Sequence, residues 1–148
     1  MVRMDETGAD TANTYRLDDQ VGYLLRLASQ RHATIFQSQT IEGLTPTQFS
    51  ALIRLSEQGK CSQNRLGRLA AMDVATIKGV ADRLRQKGLI VAEPDPDDKR
   101  RTLISLSPEG AALVDRMQAV GHAITAETLK SLTPAEQRSL AKLLRKLA

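Results

Sequence analysis

The segment Asp95–Arg101 carries three acidic and three basic side chains around Pro96, between two short β-prone runs, "LIVAE" (89–93) and "TLISLS" (102–107). Alternating β-formers on either side of a Pro- and Asp-rich turn predict a hairpin with the charges at its tip. The chemistry available there is ionic recognition. A cation at the tip of a hairpin is drawn into a narrow nucleic-acid groove, where negative potential is concentrated. A free arginine loses rotamer freedom on entering such a groove, and a neighbouring carboxylate can hold its guanidinium in a fixed fork beforehand. Asp98-Lys99-Arg100 supplies that pair, with Arg100 as the probe and Asp98 as its orienting partner. Lys99 and Arg101 are left for phosphates.

Other chemistries find little support. Cys61 is the only cysteine, so no disulfide can form within the chain, and His32 and His122 are the only histidines. No CxxC or HxxxH spacing suggests a metal site. Nucleophile-elbow, P-loop and GxGxxG patterns are absent, so neither catalytic residues nor a cofactor are expected, and the chain does not read as an enzyme. The polar, acidic opening "MVRMDETGADTANTY" lacks the apolar core of a secretory signal, and no apolar run approaches the roughly 20 residues that span a bilayer. A cytoplasmic protein without membrane contact is expected. The net charge is +4, and residues 60–101 hold ten Lys/Arg against six Asp/Glu, so the whole excess lies in that block. A basic block of this kind suits a polyanion.

The elements that position the cluster are mostly helical. Aromatics make up only 3% of the 148 residues while leucine occurs twenty times, which fits an aliphatic core of packed helices. Residues 1–14 read as a flexible arm. From 17 to 39, Leu17, Val21, Leu24, Ala28 and Ile35 fall on one helical face. "LTPTQF" (44–49) is a helix start, with Thr45 as cap, Pro46 at the first position, Gln48 completing a capping box, and Leu44 and Phe49 as a staple. That helix runs to Gln58, and Gly59 closes it. Ser62 caps a short helix, "QNRLGRLAAM", and Asp73 caps "VATIKGVADRLRQK", whose inward stripe is Val74, Ile77, Ala81 and Leu84, with Gly88 as the stop. Ser107-Pro108 and Thr133-Pro134 start two further helices. The first carries Leu113, Met117, Val120 and Ile124, and the second a stripe of Leu140, Leu143, Leu144 and Leu147.

Two helices joined near Met72-Asp73 and followed by a two-stranded hairpin form a winged helix-turn-helix. The expected fold is mainly α with a small β-hairpin wing. The second helix can enter a DNA major groove by its N-terminal part. With the apolar stripe turned inward, Ala75, Thr76, Lys78, Gly79 and Arg83 occupy the free surface, and small residues at 75 and 79 permit close approach. Ser62 and Arg65 on the preceding helix complete the DNA-facing set.

Taken together, "ATIKGVADRLRQKGLI" followed by "DPDDKRRTLISLSPEG" resembles the MarR (multiple-antibiotic-resistance regulator) family of bacterial transcription factors. The wing carries the resemblance: Asp-x-Arg at Asp98 and Arg100, alternating apolar residues, then Ser-x-x-Gly at Ser107 and Gly110. "LTPTQFSALIRLSEQG" and the helix order agree, over roughly residues 17–148. The resemblance implies a single domain that works as a homodimer. Helices within 17–39 and 108–148 would form a helical dimerisation domain, and 45–107 the winged lobe binding double-stranded DNA at a pseudo-palindromic operator. The Leu-rich last helix independently offers more apolar surface than a small lobe can cover. Two-fold symmetry places half-sites about 10 base pairs apart. Family members commonly answer to a small molecule, which implies a repressor released by an aromatic carboxylate, a phenol or an acyl-CoA. Tyr23, Arg26, Arg31 and His32 on the first helix are the residues to hold it. Two other readings compete. One is a winged-helix protein-interaction module without DNA binding. The other is an oxidant sensor acting through Cys61.

Overall fold

The structure, a computed structural model, describes residues 14–148. The expectation of a flexible arm over 1–14 therefore lies almost wholly outside the described residues. The chain divides into two compact units, one ending at Thr34 and the other running from Ile35 to Ala148. In the first unit a 3-10 turn at Leu17–Asp19 precedes helix α1 (Val21–Gln39), which continues into the second. Leu17, Val21, Leu24, Leu25 and Leu27 are all exposed in the single chain.

The second unit holds the core. Helix α2 (Pro46–Gln58) begins as expected: Thr45 Oγ1 accepts from Gln48 N, Gln48 Oε1 accepts from Thr45 N, and Pro46 leads the first turn. Gly59 ends it at φ 76°, in the left-handed region that glycine tolerates without a Cβ clash. A two-residue strand, β1 (Cys61–Ser62), leads into α3 (Gln63–Leu69), capped by Ser62 Oγ accepting from Arg65 N at 3.2 Å. Helix α4 (Val74–Gln86) is capped by Asp73 Oδ1 accepting from Thr76 N at 2.7 Å. Strands β2 (Ile90–Pro94) and β3 (Thr102–Leu106) form the hairpin, and α5 (Pro108–Leu129) and α6 (Pro134–Leu147) complete the chain. Leu52, Leu55, Leu66, Ile77, Leu84, Ile104 and Met117 are fully buried together, so α2, α3, α4, β3 and α5 share one aliphatic core.

Four features differ from the sequence expectation, the first being that α1 begins at Val21 and leaves Leu17 in the preceding 3-10 turn. The hairpin is part of a three-stranded antiparallel sheet in the order β1-β3-β2, with Cys61 opposite Ile104 and Ser62 opposite Leu103. The short third helix stops at Leu69 instead of Met72, because Ala71 turns left-handed at φ 56° to start the link to α4. Val74 is exposed, and the inward stripe of α4 is Ile77, Val80, Ala81 and Leu84. Val74 opens the helix, where no preceding turn brings it over the core.

Two glycines set close approaches. A Cβ at Gly67 would lie 2.9 Å from Ile77 Cγ2, so α3 and α4 cross closely only with glycine there. A Cβ at Gly110 would lie 2.0 Å from Leu89 O. Ser107 Oγ meanwhile donates to Gly88 O at 2.6 Å and accepts from Gly110 N at 3.0 Å. The Ser-x-x-Gly pattern thus pins the start of α5 to the entry of the wing.

Candidate nucleic-acid interface

The wing tip is built by two carboxylate–arginine pairs with different jobs. Asp98 Oδ1 accepts from both Arg100 N and Arg100 Nε at 3.1 Å, and Asp98 Oδ2 accepts from Arg100 Nη2 at 3.3 Å. The Arg100 side chain is 91% exposed, so a bidentate fork fixes it while it projects into solvent. The bond from the Arg100 guanidinium, followed by that from its backbone N–H, holds the Asp98 carboxyl below the usual carboxylate range.

Arg101 is paired as well. Its Nε and Nη2 both donate to Asp95 Oδ2, at 3.2 and 2.9 Å. The Asp95 side chain is only 6% exposed, and its other oxygen accepts from Asp97 N at 2.9 Å. Those bonds, the backbone one first, lower the Asp95 pKa. The main chain closes the same ring, with Asp95 N donating to Arg101 O and Arg101 N to Asp98 O. Arg101 is thus tied to the base of the wing while its side chain stays 56% exposed. Lys99 is exposed at the tip.

On α4, Ala75, Thr76, Lys78, Gly79 and Arg83 are all exposed. Lys78 Nζ donates to Asp82 Oδ2 at 2.9 Å, one turn along, and this bond is the main cause of the lowered Asp82 pKa. Among the described residues, nothing beyond the adjoining backbone of α4 lies within 4 Å of a Cβ built at Gly79, so no packing contact demands glycine there. Ser62 spends its hydroxyl on the α3 cap, while Arg65 is exposed beside it. A hollow of about 220 Å³ is lined by Gln63, Lys78 and Thr102 among others, and a smaller one of about 90 Å³ by Ser62, Gln63, Asn64, Arg100, Arg101 and Thr102. The first turn of α3, the outer face of α4 and the base of the wing thus lie on one side of the lobe. Gln63 and Asn64 were missed from the sequence. The signal that places them there, the pairing of Ser62 with Leu103, is tertiary.

The residues Tyr23, Arg26, Arg31 and His32 lie in the first unit, on α1. The Arg26 guanidinium stands 5.5 Å from the Tyr23 ring centroid, a cation–π distance. His32 is exposed in the single chain. Cys61 is buried, and burial pushes its thiol pKa up despite the nearby Arg65 charge. A thiol so placed has little thiolate, which speaks against the oxidant-sensor alternative.

The model of the MarR family matches residues 44–102, the stretch from the α2 start through the wing. The HTH-type transcriptional repressor NicR of Pseudomonas putida is 40% identical over 134 residues, covering 90% of this chain and 85% of that protein. The chain belongs to the MarR family. Solved structures agree. A probable transcriptional regulator from Pseudomonas aeruginosa superposes with a TM-score of 0.87 at 52% identity, covering 90% of this chain and all of that one. Bordetella bronchiseptica BpsR, solved in a study of regulation of its DNA binding by 6-hydroxynicotinic acid, gives 0.86 at 41%, covering 91% and 97%. A mutant MarR of E. coli complexed with operator DNA gives 0.80 at 26%, covering 92% and 99%. The fold is a MarR-type winged helix-turn-helix. Among the described residues, no helix is long and apolar enough to cross a membrane.

Proposed function

We propose that this MarR-family regulator is a homodimeric, cytoplasmic repressor that binds operator DNA and is released by a small aromatic acid. The observation that carries the reading is the fork at the wing tip: Arg100 is 91% exposed yet bound through its guanidinium to Asp98. A solvated arginine gains little from such a fixed geometry, whereas one that enters a groove gains a lower entropic cost on binding. Lys99, with Ala75, Thr76, Lys78, Gly79 and Arg83 on α4, Arg65 on α3 and its cap Ser62, completes the DNA-facing set. Arg101, bound to Asp95 yet 56% exposed, anchors the wing and also faces phosphate in this reading. The operator complex of the E. coli relative and the repressor role of NicR support it.

The homodimer reading assigns helices in 17–39 and 108–148 to dimerisation and 45–107 to the DNA-binding lobe. It draws support from α6, which has no buried residue and exposes Leu143, Leu144 and Leu147. The effector class follows BpsR and its 6-hydroxynicotinic acid. Tyr23, Arg26, Arg31 and His32 are proposed to meet an aromatic acid, a phenol or the coenzyme A thioester of such an acid. The protein works by binding, with no turnover.

The test is a salt titration of binding to the DNA upstream of its own gene, read by fluorescence anisotropy against an unrelated duplex. A sequence-specific regulator binds the upstream DNA in the presence of competitor, with a steep salt slope, and lets go when an aromatic acid is added. Weak and equal binding of both duplexes would instead favour a protein-interaction role.

A further inference from the structure

Helix α4 carries Lys78, Arg83 and Arg85 and a single carboxylate, Asp82. Asp82 Oδ2 accepts from Lys78 Nζ at 2.9 Å, and Asp82 Oδ1 lies 3.5 Å from Arg85 Nη2. Both partners of the first bond line the hollow that α4 shares with Gln63 and Thr102, on the side of the lobe where the wing base lies. A carboxylate on a surface that meets phosphates opposes binding, and α4 would be the more basic without it. Helix stability does not account for the pair. Lys78 precedes Asp82 by four residues, and this is the weaker of the two possible orders because it runs against the helix dipole. Exposed pairs of this kind also contribute little to folding. Gly79, next to Lys78, is likewise not demanded by packing, although glycine inside a helix is disfavoured against alanine. The protein alone explains neither residue.

From this arrangement, and resting on the operator-binding reading above, we infer that Asp82 is a specificity-determining residue: with Lys78 it reads one guanine–cytosine pair in each half-site. In the major groove guanine shows two acceptors, O6 and N7, and cytosine shows the N4 donor. O6 and N4 are hydrogen-bonded to each other and so stand about 2.9 Å apart. Lys78 Nζ and Asp82 Oδ2 have the same separation, 2.9 Å. The two pairs can therefore face each other without breaking the protein's own bond. An ammonium has three donors, one for Asp82 and two for O6 and N7, while the second lone pairs of Asp82 accept from N4. A reversed pair sets the ammonium against N4 and the carboxylate against O6. Thymine–adenine keeps the order of acceptor and donor, but it gives Lys78 only O4 and crowds it with the C5 methyl. A phosphate takes Lys78 only by stripping Asp82 of its cation. The carboxylate thus lowers affinity for wrong sequences more than for the right one, and Gly79 leaves room for the base pair to approach.

Full-length wild type, Asp82→Ala and Lys78→Met each select from a library of duplexes with about 24 random base pairs, enough for two half-sites one turn apart. The duplex that wild type enriches most, and its single-pair substitutions, are then measured by fluorescence anisotropy with all three proteins. Wild type should enrich a G·C pair at two symmetric positions, and replacing it in one half-site should weaken binding about 5- to 100-fold. For both variants the same replacement should matter by no more than about 2-fold, with preferences elsewhere retained. Asp82→Ala should also bind unselected duplex more tightly, its salt slope steeper by about one unit per subunit as Lys78 turns to a phosphate. Circular dichroism checks that each variant keeps its helices. A pair that only braced the helix would shift the melting temperature and leave every base preference in place, and that result overturns the inference. So does loss of preference at different positions in the two variants. A wild type that enriches no sequence at all overturns the operator-binding reading and the inference with it, which tells the two failures apart.

Discussion

The wing fork makes a prediction whose sign separates two explanations of the same charges. If Asp98 serves only as one more surface charge, removing it brings DNA and protein closer, because each subunit gains one unit of positive charge. If Asp98 holds Arg100 in its bound geometry, removing it weakens binding. Ordering one long side chain at an interface costs about 0.5–1.5 kcal/mol, or roughly 2- to 10-fold in affinity. Three bonds currently hold Arg100 in place, at 3.1, 3.1 and 3.3 Å. A dimer presents two wings, so Asp98→Ala should weaken operator binding by roughly 5- to 100-fold. Its salt slope should stay that of the wild type, since no cation is lost. Arg100→Ala should cost about 1–3 kcal/mol per wing and also lower the slope if the side chain neutralises a phosphate. Anisotropy across a salt series with the upstream duplex measures both quantities. An Asp98→Ala variant that binds as tightly as wild type, or more tightly, at every salt concentration would falsify preorganisation. Unchanged affinity for Arg100→Ala would remove the wing from the interface altogether.

Gly110→Ala must separate α5 from the wing entry by about 1 Å and break the Ser107 bonds; overpacking of this kind costs about 1–3 kcal/mol or more. Urea unfolding should show a lower midpoint, and an unchanged one would refute the 2.0 Å approach. Cys61, with its buried and poorly ionised thiol, should react with a thiol reagent far more slowly in the native protein than in urea, and peroxide should not release DNA. Rapid native labelling coupled to DNA release would restore the oxidant-sensing alternative. Asp95 and Asp98 have folded-state pKa values below the ordinary 3.8, so the stability they contribute is complete above that value and is lost as the pH falls through the lowered ones. Thermal melts on acidification should therefore show a loss that Asp95→Asn reduces, and an identical acid profile for that variant would count against the clamp.

What was legible from the sequence is what short-range chemistry fixes. The caps at Thr45, Ser62, Asp73, Ser107 and Thr133 each satisfy a backbone N–H three residues on, so residue type and spacing suffice to place the helix starts. The Asp98–Arg100 fork spans two residues and was legible for the same reason. What was not legible depends on segments far apart in the chain. Cys61-Ser62 is too short to read as a strand and becomes one only because Ile104 and Leu103 arrive opposite it. Asp95 gives no sign that it will be buried and claim Arg101 across the turn, since either carboxylate could pair with either arginine. Val74 fits the helical stripe by period but lies at the first position of α4, beyond the reach of the core. A cleft lined by Glu42, Lys87 and Arg116 gathers residues from three separate stretches, and no local pattern announces it. The sequence by itself determined the helices, the wing and the family, because caps, periodicity and turn residues act over a few positions. Only the tertiary structure decided which charges pair, which are buried and which share a cleft, because those choices depend on long-range packing that brings distant segments within bonding distance.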